Sequence, residues 1–81
     1  MKWTEKEDEI VCKFYLKHQN DWWNNIDIVM DELKQAGFAN RDSNSTRMRL
    51  ANFSYIHTGK GLSKPSKQSR KIYDGIINED R

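Results

Sequence analysis

Asn44-Ser45-Thr46-Arg47-Met48-Arg49-Leu50-Ala51-Asn52-Phe53-Ser54-Tyr55-Ile56 is the stretch on which the fold turns. It contains no glycine or proline, and Asp42 or Ser43 stands ready to cap its start, so the spacing predicts a helix over about 44–56. At 100° per residue, Met48, Ala51, Asn52 and Tyr55 share one arc, while Leu50 and Phe53 fall on another. Two apolar arcs predict a helix gripped from two sides.

Upstream, Ala39 to Ser43 is a polar link, and Gly37 suits the left-handed stop of a helix over about 25–36. That helix would bury Ile26, Val29, Met30 and Leu33. Further back, Thr4 and Glu7 have capping-box spacing. The acids Glu5, Glu7, Asp8 and Glu9 then fall where a helix dipole favours negative charge. This predicts a helix over about 4–19, with Ile10, Val11, Phe14 and His18 toward the core. Downstream, His57-Thr58-Gly59-Lys60-Gly61 reads as a flexible turn. Pro65 and Ser66 introduce a helix over about 65–78, with Ile72, Tyr73, Ile76 and Ile77 on its apolar face. No strand alternation and no repeat appears. The expectation is an all-α fold, a small three- to four-helix bundle in a single domain, 1–81.

Of the 81 residues, 32% are charged and 36% hydrophobic, but three Trp, three Tyr and three Phe supply large apolar areas for a core. A chain this short is stable by only about 3–5 kcal/mol. No apolar run is long enough for a membrane span, no signal peptide is expected, and the lone Cys12 points to a reducing cytoplasm. Charge is sorted by position. Residues 1–40 hold five Lys against eight acids, a net −3. Residues 41–72 hold Arg41, Arg47, Arg49, Lys60, Lys64, Lys67, Arg70 and Lys71 against Asp42 alone, a net +7. Residues 73–81 carry Arg81 against Asp74, Glu79 and Asp80, so a near-neutral total of +2 hides a basic stretch suited to a polyanion.

Trp3-Thr4-x-x-Glu7-Asp8, a second tryptophan at Trp22 or Trp23, and Arg41-x-x-x-x-x-Arg47-x-Arg49-Leu50 together resemble a Myb/SANT-type repeat over roughly residues 3–55. Leu50 fills the third tryptophan position. Over almost the whole chain, Trp3-Thr4, Met48-Arg49-Leu50-Ala51-Asn52-Phe53 and Gly59-Lys60-Gly61-Leu62-Ser63 resemble the helical N-terminal region of HNH-type restriction endonucleases. These resemblances imply a helix-turn-helix core and a DNA-associated module of bacterial or phage restriction and defence. The nuclease half of such enzymes has no counterpart here, since His18 and His57 are the only histidines and no strands flank them.

Read residue by residue, the start of the third helix is the base-reading candidate, because the early turns of a recognition helix face the major groove. Asn44, Ser45, Arg47 and Met48 lie there, and Arg or Asn can bond guanine or adenine with two hydrogen bonds. Arg47 and Arg49 have a competing use as partners for the acidic first helix. Arg49 is the stronger case, with Glu7 or Asp8 as its carboxylate. Ser43, Lys60, Ser63, Lys64, Lys67, Arg70 and Lys71 are the phosphate-contacting candidates. The Gly59-Lys60-Gly61 turn is not a nucleotide loop: Ser54 stands where the first glycine belongs, and Gly61 where Ser or Thr belongs. Cys12 and His18 share no helical face and have no further cysteine to complete a zinc site, so no metal or other cofactor is expected. Trp3 and one of Trp22 and Trp23 are expected in the core.

The function these readings imply is a non-catalytic module that binds double-stranded DNA in restriction, defence or transcription regulation. The alternative is a protein-interaction module, such as a phage inhibitor of a host defence enzyme. It gains weight if the fourth helix packs on the Met48–Tyr55 arc and covers the recognition face. No residues are nominated for catalysis, and the target sequence and oligomeric state are not legible.

Overall fold

Four helices and one 3-10 turn make up residues 2–39 and 41–79, which the computed structural model describes. The first, α1 (Glu5–Lys17), begins with the capping box. The Thr4 hydroxyl accepts from the Glu7 amide at 3.2 Å, and the Glu7 carboxylate accepts from the Thr4 amide at 2.9 Å. After the 3-10 turn Trp22–Asn24, α2 (Ile26–Gln35) ends in a Schellman motif. Gly37 has φ +95°, and the Phe38 amide reaches back to Leu33 O at 2.8 Å. The carboxylate of Asp42 caps α3 (Ser43–Thr58), accepting from the Ser45 amide at 2.7 Å. That bond holds its pKa below the usual range. Gly59, with φ +80°, ends α3. Ser66 then accepts from the Ser69 amide at 3.1 Å, at the start of α4 (Lys67–Glu79).

The core takes Val11, Cys12, Phe14 and Tyr15 from α1, and Ile26, Val29 and Leu33 from α2. Leu50 and Phe53 come from α3 and Ile76 from α4. Each large side chain removed from water contributes roughly 1.5–3 kcal/mol. The fourth helix lies chiefly against α1 and also touches α3. Its apolar face is as expected, with Ile76 buried and Ile72, Tyr73 and Ile77 half-buried. Near the end of α3 the Tyr73 hydroxyl lies 2.6 Å from His57 Nδ1.

Several expectations change. On α1, Ile10 and His18 are only half-buried, and Cys12 and Tyr15 fill the core instead. Burial pushes the Cys12 thiol up to about 12, so it stays protonated and inert as a nucleophile. Trp3 and Trp22 are half-buried against the core, and Trp23 is exposed. The helix α3 extends to Thr58, and α4 begins after Pro65 and Ser66.

The two arcs of α3 also differ from a simple double grip. Leu50 and Phe53 are fully buried together with Thr46, but Met48 is 49% exposed. Only the second half of the other arc, Ala51 to Tyr55, is half-covered. The turn after α3 lies on this half, with Gly61 against Ala51, Ser54 and Tyr55 and the Leu62 amide on Ala51 O. Among the described residues no helix is long and apolar enough to cross a membrane.

Candidate nucleic-acid interface

Two of the eight cations in 41–72 are withdrawn from the surface by α1. Arg41 donates to both Glu7 oxygens, at 2.6 and 2.9 Å, and lies over the Trp3 ring, 4.3 Å from its centroid. Arg49 donates to both oxygens of the fully buried Asp8, at 2.5 and 2.6 Å. It also donates to Ser66 Oγ at 3.2 Å. Gln68 adds bonds to Asp8 at 2.7 Å and to Trp3 O at 2.8 Å. Hydrogen bonding from Arg41, the largest cause, takes Glu7 down to about 2. This cluster ties α1, the approach to α3, and the start of α4 together. Arg49 is therefore a structural cation, as its expected carboxylate partner implied. Arg41 is one as well, which the charge pattern did not single out.

The remaining six, Arg47, Lys60, Lys64, Lys67, Arg70 and Lys71, are exposed and form no ion pair among the described residues. Arg47 stands one turn into α3, near exposed Ser43 and Asn44 and half-buried Ser45. Lys60 and Lys64 lie on the segment that follows α3.

That segment is held by specific bonds and is not the open turn its glycines suggest. Lys60 O accepts from Ser54 Oγ at 2.8 Å, and Lys60 N donates to Thr58 Oγ1 at 3.1 Å. Leu62 N donates to Ala51 O at 3.2 Å. Gly61, at φ +135°, approaches so closely that a Cβ there would stand 2.5 Å from Ala51 O. The chain then arrives at Ser66 beside Arg49. Ala51 and Arg49 sit on opposite flanks of α3, so the segment straps across the helix's outward face. Only the first turns of α3, through Met48, are left open. The fourth helix does not cover them.

The two flanks of this surface differ in charge. Between α2 and α3 lies an open groove of about 500 Å3 lined by Ile26, Met30, Leu33 and Phe38, with Asp27, Asp31 and Lys34 on its α2 wall and Arg41 and Arg47 on its α3 side. Toward the strap and the start of α4, the exposed charges Lys60, Lys64, Lys67 and Arg70 are all positive. Lys71 departs from that group. It lines a separate groove between α1 and α4 with Glu9, Lys13 and Glu79. Ser63 is exposed on the strap.

Among the described residues no three His, Cys, Asp or Glu side chains gather as a metal site. His18 packs on Phe14 with ring centroids 4.4 Å apart. His57 lies between Tyr73 and Gln19. No family model, curated protein or solved structure matches this chain.

Proposed function

We propose that this protein is a non-catalytic module that binds double-stranded DNA through the open start of α3 and the cationic strap beside it. The observation that carries the reading is the division of its cations. Arg41 and Arg49 are consumed by Glu7 and Asp8, while Arg47, Lys60, Lys64, Lys67 and Arg70 stand exposed without a carboxylate partner among the described residues. Unpaired surface cations repel one another and gain nothing from the fold, but they suit a polyanion. In this reading the helices α2 and α3 act as a helix-turn-helix pair, of the Myb/SANT type that the tryptophan and arginine spacing resembles. The positive field steers the duplex, and Lys60, Lys64, Lys67 and Arg70 hold phosphates. Ser43 and Ser63 add hydroxyl donors, and Asn44, Ser45, Arg47 and Met48 meet base edges. The resemblance to the N-terminal region of restriction endonucleases supports a role in restriction or defence.

Titration of labelled duplex DNA at two salt concentrations tests this. Five neutralised phosphates give a slope of log affinity against log salt near about −4.5. Arg47→Ala should lower affinity for a preferred site while sparing most non-specific binding. An affinity that ignores salt removes the proposal.

One observation favours a protein partner instead. The α2–α3 groove is apolar at its base, where Ile26, Met30, Leu33 and Phe38 line it, and its rim carries both signs of charge. A protein captured on this chain despite nuclease treatment, and lost on Met30→Asp, would support that reading, including an inhibitor of a defence enzyme.

A further inference from the structure

We infer that the DNA surface reads the 5-methyl group of pyrimidines, thymine above all, through Met48. The inference rests on the DNA-binding reading and adds a base-level preference to it. Met48 is 49% exposed and Leu62 is 40% exposed, in a core-poor chain where other large apolar side chains of α3 are buried or half-covered. Met48 projects from the outward face of α3, one turn after Asn44, and Arg47 is its neighbour in sequence. Leu62 is tied by its amide to Ala51 O, three residues beyond Met48 on the same helix. Gly61 allows this, because any side chain there would collide with that carbonyl. Lys60 and Lys64, both exposed and in no ion pair among the described residues, flank Leu62 along the strap. Met48 is thus an exposed apolar side chain on the open start of α3, and the strap that follows the helix is cationic.

A surface of that kind has a narrow complement on a duplex. The strap cations fit phosphates. Met48 fits an apolar group, and in the major groove the base edges offer one such group, the methyl at C5 of thymine (or of 5-methylcytosine). The strap closes the second half of α3, so the helix can meet the groove by its first turns only. Met48 is the last open residue before the strap and the apolar one among them. Asn44, one turn earlier on the same face, can bond the adenine paired with a neighbouring thymine.

The test compares an alternating poly(dA-dT) duplex with the same duplex carrying deoxyuridine for thymidine, at low salt and below the melting temperature of both. The wild-type protein should bind the thymine duplex more tightly by about fourfold for each methyl covered. Met48→Ala should bring the two duplexes together without altering the salt slope. Because Met48 is exposed on a helix, Ala there leaves the fold intact, and a circular dichroism melt checks this. Equal wild-type binding to both duplexes, or a gap that survives Met48→Ala, overturns the inference while the DNA reading stands. Absence of binding to either duplex overturns both.

Discussion

Arg47 and Arg49 differ by two positions in the sequence and by role in the fold. Arg49 grips both oxygens of an Asp8 that has no exposure to water, whereas Arg47 is exposed with no carboxylate partner among the described residues. Removing one member of a buried pair leaves the other charge without compensation, at a cost of about 3–5 kcal/mol. That equals the whole stability expected of a chain this size. Arg49→Ala should therefore be largely unfolded in a urea titration, while Arg47→Ala should stay within about 0.5 kcal/mol of wild type. Equal stability of the two variants would mean that Asp8 does not depend on Arg49. The carboxylate partner of Arg49 was legible from its position near the core in the Myb-like spacing and from the acids of the first helix. The loss of Arg41 to Glu7 was not. Both are arginines in one basic stretch, and which of them meets an acid depends on how the 36–43 connection sets Arg41 beside α1.

The helices themselves were readable because their ends carry local chemistry. Thr4 with Glu7, Gly37, Asp42 and Ser66 each act within a few residues, and the structure uses all of them. The strap was not readable, because its hold on α3 comes from a close approach between Gly61 and Ala51 that no periodicity records. The same limit explains Met48, whose arc looked apolar but whose cover reaches only the second half of the helix. Two glycines separate local from long-range effects. Gly75 lies inside α4 with nothing within 4 Å of a Cβ, so Gly75→Ala should raise stability by about 0.5–1 kcal/mol through helix propensity. Gly61→Ala meets a backbone oxygen at 2.5 Å and a φ of +135°, which should cost about 1–3 kcal/mol. Hydrogen exchange at the Leu62 amide should rise in Gly61→Ala and remain unchanged in Gly75→Ala. Unchanged Leu62 protection in both would show that the strap does not need the glycine.

Across the whole molecule, acids gathered at one end and cations in the middle serve two different ends. Part of the acidic charge is internal cement, and that makes stability depend on pH in a definable window. Hydrogen bonding from Arg41 lowers Glu7 from 4.5 to about 2 in the folded protein. A carboxylate with a depressed folded pKa contributes stability that is complete above its unfolded value. The contribution fades as pH falls toward the folded value, because the unfolded chain takes up the proton first. Glu7 should thus supply about 3 kcal/mol near neutrality. The loss begins below about pH 4.5 and is complete near pH 2. Urea midpoints measured from pH 7 down to pH 2 should fall over that interval in the wild-type protein. Glu7→Gln keeps a hydrogen-bond acceptor for Arg41 but removes the titrating group, so its stability should start lower and change less across the same range. The exposed cations impose the opposite test. They repel one another in the folded state, so salt should raise stability at pH 7 while weakening any hold on DNA. A wild-type acid profile that Glu7→Gln reproduces in full would place the acid sensitivity elsewhere, and the Arg41–Glu7 pair would then be geometry without energetic weight.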